Sequence, residues 1–267
     1  MNDQGISSIW PTGTPLIGMI HLMPLPGSPT WGGSMNEVVD RAVRDARLLA
    51  QAGFDGLMVE NYADVPFFRG SVPPETVAAI SAAVLPVQRE SRLPVGVNVL
   101  RNDARAALGI ATATGARFVR VNVHTGSMWT DQGLIEGDAA NTLRTRAATG
   151  ADVAILADVH VKHASPPAGS SIEDAAADTW HRGRADGLIV SGSGTGSPTA
   201  RTDVERVRAS VPGAPVLIGS GATLENIGES LEIADGVIVG SAVMRDGRAG
   251  TGVDEGCARA FVEAARP

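Results

Sequence analysis

The chain has 267 residues, 43% of them hydrophobic and 19% charged, with a formal net charge of -7 and one cysteine. That length suits one α/β barrel, roughly 250 residues. The acidic balance excludes a general nucleic-acid polymer or anionic-membrane surface, which needs a basic footprint. No stretch approaches the roughly 18 apolar residues of a membrane helix, MNDQGISSIWPTG lacks the basic-then-apolar order of a secretory signal, and Cys257 has no cysteine to pair with, so a cytoplasmic protein without direct membrane insertion is expected.

Eight short apolar or β-branched runs alternate with longer amphipathic stretches. In order they are LIGMIHL from Leu16, DGLMVE from Asp55, PVGVNVL from Pro94, RFVRVNV from Arg117, VAILADV from Val153, DGLIVSG from Asp186, PVLIGS from Pro215 and DGVIVG from Asp235. Strands separated by helices imply parallel pairing. The phrase Ala-Asp-Gly-apolar-Ile-Val recurs at Ala185 and Ala234, with a looser copy from Phe54. This repetition favours a closed (β/α)8 TIM barrel of the phosphate-binding type, a single domain over 1–267; an open doubly wound sheet is the alternative. Ser34 with Glu37, Ser170 with Glu173 and Thr202 with Glu205 fit helix-starting capping boxes, and Gly53, Gly115, Gly150 and Gly183 fit left-handed helix ends.

The seventh run leads into Gly219-Ser220-Gly221-Ala222-Thr223 and the eighth into Gly240-Ser241-Ala242. Glycines let backbone amides approach an oxyanion, and barrels commonly hold phosphate at these two loops. Gly219, Ser220, Gly221, Gly240 and Ser241 are therefore the expected phosphate-binding residues; tight turns alone would be the plainer use of the glycines. After the sixth run, Ser191-Gly192-Ser193-Gly194-Thr195-Gly196-Ser197-Pro198-Thr199 is a hydroxyl-rich loop suited to close over a substrate or to serve as a surface connection.

The C-terminal strand ends of such a barrel form its active face, and here they are densely polar. His21 ends the first run, Glu60-Asn61 the second; Asn98 and Arg101-Asn102-Asp103 follow the third, Arg120, Asn122 and His124 the fourth, and Asp158, His160, Lys162 and His163 the fifth. Strand alternation predicts that Asp158, His160 and Lys162 share one face, as do Arg120, Asn122 and His124. Buried charges must pair, bind a ligand or line a wet cavity. Glu60, Asp158 and Lys162 are the candidate catalytic acids and bases; His21, Asn98, Arg120, Asn122, His160, Ser191 and Ser193 are the candidate substrate-binding residues. A Schiff base on Lys162 is a second chemistry open to an amine. No cofactor is assigned with certainty, and a divalent metal is an open option: His21, Asp158, His160 and His163 are types that bind one, although no motif such as HExxH occurs and no metal-ligand set is assigned. His181 reads as a surface or packing residue. The segment His21–Pro29 and Pro66-Phe67-Phe68 read either as covers and walls of the site or as buried packing.

The segments GMIHLMPLPGSP from Gly18, VENYADVPF from Val59, VGVNVLRND from Val95, VRVNVHTGSMWTDQGLIEG from Val119, ADVHVKHASP from Ala157, SGSGTGSPT from Ser191, IGSGATLEN from Ile218 and VGSAVMRDG from Val239 closely resemble the BtpA family, which includes SgcQ-like proteins. The resemblance covers nearly the whole chain. It implies a phosphate-binding barrel, while the family name denotes an effect on photosystem I accumulation rather than a reaction.

The expected function is an enzyme on a phosphorylated sugar or nucleotide-derived small molecule: an isomerase, epimerase or lyase, or one that cleaves or forms a glycosidic bond. The competing reading is a noncatalytic accessory or regulatory factor in assembly of a membrane complex of the photosystem kind. A homodimer is the expected assembly.

Overall fold

The structure is a computed structural model describing residues 5–266; residues 1–4 and 267 of the expected domain lie outside the described residues. In chain order the elements are β1 (Leu16–His21), α1 (Met35–Ala52), β2 (Gly56–Glu60), α2 (Pro74–Ser91), β3 (Val95–Asn98), α3 (Ala104–Thr114) and β4 (Phe118–Val121). There follow β5 (Ser127–Thr130), β6 (Gly133–Glu136), α4 (Ala139–Thr149), β7 (Ala154–Val159), β8 (Ala164–Ser165), α5 (Ile172–Ala177) and β9 (Gly187–Val190). The chain continues through α6 (Arg201–Ser210), β10 (Val216–Ile218), α7 (Ile227–Ile233), β11 (Gly236–Val239) and α8 (Glu255–Ala265). Strands β1, β2, β3, β4, β7, β9, β10 and β11 close into a barrel in that order, with every pairing parallel. Each of the eight runs read from the sequence supplies one of these strands. The open-sheet alternative fails because β11 pairs back onto β1 through Leu16↔Val237 and its neighbours.

Alternation along the strands divides the residues between two apolar regions. Outward-facing Val59, Val97, Val119, Ile155 and Leu188 join the helices in one cluster, while Ile17, Met58, Phe118, Leu156, Leu217 and Ile238 fill the lower barrel interior. Trp10 reaches this inner cluster from below, edge-on to Phe118 with ring centroids 5.3 Å apart. Gly96 makes room for that phenyl ring: a Cβ there would lie 2.1 Å from Phe118 Cε2. Gly96→Val should therefore destabilise the fold by about 1–3 kcal/mol through overpacking, measured as a lower urea midpoint; an unchanged midpoint would contradict this account of the inner core.

Local signals were followed unevenly. Ser34 caps α1 by accepting from Glu37 N, and Gly53, Gly115 and Gly150 end α1, α3 and α4 in the left-handed region. The cap of α5 lies one residue later than expected, with Ser171 accepting from Asp174 N instead of the Ser170–Glu173 pair. Thr202 is not a cap, because α6 already starts at Arg201 and Glu205 pairs with that arginine. Gly183 has φ -73, so its conformation is right-handed; a Cβ there would lie 2.6 Å from the Thr125 side chain, which makes it a close-packing glycine. The sequence reading also missed a small antiparallel sheet of β6, β5 and β8 inserted beside the barrel mouth, whose hairpin turns at Gly133 with φ 93. Among the described residues no helix is long and apolar enough to cross a membrane.

Candidate active site

Above the apolar interior, the next inward-facing positions carry polar groups. Strand register sets His21 beside Glu60, Glu60 beside Asn98, and Asn98 beside Arg120. The strongest contact is a two-pronged ion pair: Arg120 Nε donates to Asp158 Oδ2 at 2.8 Å and Nη2 to Oδ1 at 2.7 Å. Asn122 Nδ2 donates to Asp158 Oδ2 at 3.0 Å and Ser191 Oγ to Oδ1 at 3.2 Å, so both carboxylate oxygens are fully engaged. Asn98 supports the assembly from below, donating to Arg120 O and Asn122 Oδ1, while its own Oδ1 is buried without a partner among the described residues. Gly219 is the space that this network requires, since a Cβ would meet Ser191 Oγ at 2.6 Å and Arg120 Nη2 at 3.2 Å.

Beside that pair stand two groups with displaced titrations. Burial pushes the Glu60 carboxyl above its ordinary range, against the opposing pull of Lys162 and Arg120. Burial, with Arg120 adding to it, pulls the Lys162 ammonium below its ordinary range, partly offset by Glu60 and Asp158. Each environment shifts its group toward the uncharged form, the direction that brings a carboxyl and an amine closer to each other in proton affinity. Arg101, 5% exposed, donates from Nη2 to Lys162 O at 2.7 Å and fixes the backbone that carries this amine.

His21 accepts at Nδ1 from Gly250 N at 3.1 Å, so its proton sits on Nε2, 3.7 Å from Glu60 Oε1. Its ring stacks on Tyr62 at a centroid separation of 4.3 Å. Burial first, and then Lys162, Arg41 and Arg120, lower its pKa to about 3, so the His21–Glu60 contact involves a neutral imidazole. The unfolded imidazole titrates near 6.5, and the unfolded chain therefore binds the extra proton between pH 6.5 and about 3. Stability from this residue falls as pH drops through that window, by at most about 1.4 kcal/mol per pH unit. Glu60 acts in the opposite sense, its raised pKa removing stability as pH rises. His21→Gln should flatten the acid limb of a urea-midpoint profile against pH; an unaltered slope would contradict the neutral, buried imidazole.

A small cavity of about 30 Å³ lies between this cluster and the glycine loops after β10 and β11, lined in part by His21, Tyr62, Arg120, Lys162, Gly221 and Ser241. Gly219, Ser220 and Gly240 complete the loop side. The segment 191–199 forms its roof and contributes Thr195 and Gly196 to the lining. Gly192 N donates to Ser220 Oγ and Thr199 Oγ1 to Ser220 O, each at 2.9 Å, while Thr195 N donates to His163 Nε2 at 3.1 Å. Gly221, at φ 73, permits the close approach: a Cβ there would lie 2.1 Å from Ser197 O. The enclosed space equals about one or two waters, so any larger ligand requires this roof to lift.

Several sequence expectations change. Asp158, a candidate catalytic acid or base, is held in a two-pronged ion pair with Arg120. Glu60 lies behind His21 rather than on the wall of the closed cavity. His160 does not share a face with Asp158 and Lys162, because its φ of 52 breaks the strand and turns the ring toward Ser170 Oγ, 3.2 Å away. Ser193 is exposed and contributes its carbonyl to His163 N. His124 contacts Gly183 O away from the cavity. His21, Asp158, His160 and His163 point to separate partners, and among the described residues no group of three His, Cys, Asp or Glu side chains is placed to hold a metal ion. Leu22 and Leu25 are buried core residues, and Phe68 is 55% exposed; neither of their segments lines the cavity beyond His21. Tyr62 was given no role from the sequence, although it lies two positions after Glu60, where alternation would have suggested it; Arg101 was placed on the active face without a role.

The whole chain has informative relatives. The Photosystem I biogenesis protein BtpA of a Synechocystis strain is 49% identical over 253 residues, covering 95% of this chain and 88% of the relative. An uncharacterised protein of Pyrococcus furiosus is 46% identical over 234 residues, 88% of each chain. The putative sgc region protein SgcQ of Escherichia coli is 34% identical over 251 residues, covering 93% and 92%. Among solved structures, orotidine 5'-phosphate decarboxylase from Pyrococcus horikoshii superposes with a TM-score of 0.58 at 15% identity, covering 94% of this chain and 99% of that one, a likeness of fold alone. With the BtpA family pattern matching residues 12–267, the chain belongs to the BtpA family.

Proposed function

We propose that this protein is an enzyme acting on a phosphorylated small molecule, with the phosphate held by the loops Gly219–Gly221 and Gly240–Ser241 and proton transfer carried by Glu60 and Lys162. One observation carries the reading: a buried carboxyl with a raised pKa and a half-buried, cavity-lining amine with a lowered one stand together at the C-terminal mouth of the barrel, beside a glycine-lined cavity. Fixed backbone amides and nearby cations suit a phosphate monoester, and Arg120, locked by Asp158, supplies positive charge that needs no reorganisation as an oxyanion develops. Solved structures of similar fold include enzymes named for phosphorylated substrates, orotidine 5'-phosphate decarboxylase and thiamine phosphate pyrophosphorylase.

The reaction class this arrangement supports best is removal of a proton next to a carbonyl, the common first step of sugar-phosphate isomerases, epimerases and many lyases. A noncatalytic accessory role draws on the name of the Synechocystis relative, but a binding module has no need of a carboxyl and an amine set side by side with pKa values shifted toward each other. The test is exchange of carbon-bound hydrogen in heavy water: a panel of phosphorylated ketoses and aldoses incubated with the protein and followed by NMR. Exchange or conversion of a phosphorylated compound, absent with its unphosphorylated counterpart, is the expected result. Equal behaviour of both members of each pair would reject the phosphate handle, and no reaction across the panel would reject the enzymatic reading.

A further inference from the structure

Resting on that reading of the cavity, we infer that Lys162 is a covalent catalyst, its amine forming an iminium with the carbonyl carbon of a phosphorylated ketone or aldehyde. The side chain lines the cavity opposite the glycine loops. Its Nζ makes neither an ion pair nor a hydrogen bond among the described residues. A lysine retained as a counterion would sit against a carboxylate, yet the nearby Asp158 already takes Arg120, Asn122 and Ser191. The amine is therefore held in place through its backbone, by Arg101, while its head stays free to face a ligand. Burial and the fixed charge of Arg120 favour the neutral, nucleophilic amine, the form that attacks carbonyls.

The step balances with groups already present. The Nζ lone pair forms a bond to the carbonyl carbon as the C=O π electrons move to oxygen, and proton transfer from nitrogen to that oxygen gives a carbinolamine. Glu60, set back from the cavity wall, passes its carboxylic acid proton through an intervening water to the hydroxyl, the C–O bond breaks, and water leaves with formation of the C=N⁺ bond. Glu60 is then a carboxylate beside an iminium. Through the same water it takes a proton from the adjacent carbon, whose C–H electrons become the C=C bond of an enamine as the C=N electrons return to nitrogen. Hydrolysis returns the water and frees Lys162. The substrate class is thus narrowed from phosphorylated small molecules to those with a carbonyl, and Lys162 becomes an electron sink rather than a simple proton donor.

Borohydride trapping tests this on the intact protein. Dihydroxyacetone phosphate and ribulose 5-phosphate are each incubated with the protein and sodium borohydride, the unphosphorylated ketones are run in parallel, and peptides are mapped by mass spectrometry. The inference predicts a reduced secondary-amine adduct on Lys162, dependent on phosphorylated ketone, suppressed by excess inorganic phosphate and lost in Lys162→Arg. Mapping on the wild-type chain needs no variant, so misfolding of Lys162→Arg does not obscure the result, and inorganic phosphate binding to that variant reports on its fold. Phosphate binding without any adduct on Lys162 would overturn the covalent step and leave the phosphate-ester reading intact. Failure of inorganic phosphate and both esters to bind would overturn the two together.

Discussion

Arg120→Met should destabilise the protein by about 3–5 kcal/mol, because it leaves the Asp158 carboxylate buried without its cation. Arg120 is 2% and Asp158 5% exposed, and the two share both prongs of the guanidinium. Asn122 and Ser191 would still donate to Asp158, but two neutral donors do not replace a charge in a site closed to water. In thermal unfolding the loss corresponds to a fall of roughly 10 °C for a chain of this size. The double variant Arg120→Met with Asp158→Leu should recover most of it, since removing both charges also removes the cost of burying them. A single-variant loss below about 1 kcal/mol, or a double variant no better than the single one, would show that the pair does not organise the barrel mouth.

The second large effect concerns turnover. Glu60→Gln keeps the shape and removes the titrating group, and should lower the rate on whichever phosphorylated compound responds by about 10²–10⁴-fold. Folding should not suffer: neutralising a carboxyl that burial has already pushed toward its protonated form removes a desolvation cost, so the urea midpoint at pH 8 should hold or rise. Lys162→Met should act in the same way, with activity falling and stability maintained, because the half-buried amine it removes has no ion-pair partner among the described residues. Asp158→Asn should behave differently, losing stability along with activity. The contrast separates proton carriers from the scaffold that positions them, and Glu60→Gln retaining full turnover would remove Glu60 from the chemistry.

The barrel was legible because its strands alternate. Runs such as LIGMIH and AILADV send Ile17, Met19 and Leu156 inward and Leu16, Ile20 and Ile155 outward, and the same period sets Glu60, Arg120 and Asp158 two residues beyond inward-facing Met58, Phe118 and Leu156. The pattern misled where the backbone left the strand. His160 has the spacing of an inward residue, but one left-handed residue after β7 reverses its direction. The pairing of Asp158 with Arg120 was not legible, since composition reveals a buried acid but not which arginine answers it. Gly219 and Gly221 were noticed as phosphate-loop glycines, while their tightest contacts are with Arg120 and Ser191 in one case and with Ser197 and Pro198 in the other. Those contacts link residues far apart in sequence, and single-sequence reasoning has no handle on them. The segment 191–199 fitted either a substrate cover or a surface connection because its glycines and hydroxyls suit both; its hydrogen bonds to Ser220 and His163 join residues far apart in sequence.

The most direct measurement of the central claim is a crystal structure of the protein with inorganic phosphate. The account predicts phosphate density against the loops of Gly221, Ala222 and Ser241, under the segment 191–199 and on the same cavity as Lys162. Phosphate bound only elsewhere, with that cradle filled by solvent at saturating phosphate, would contradict it.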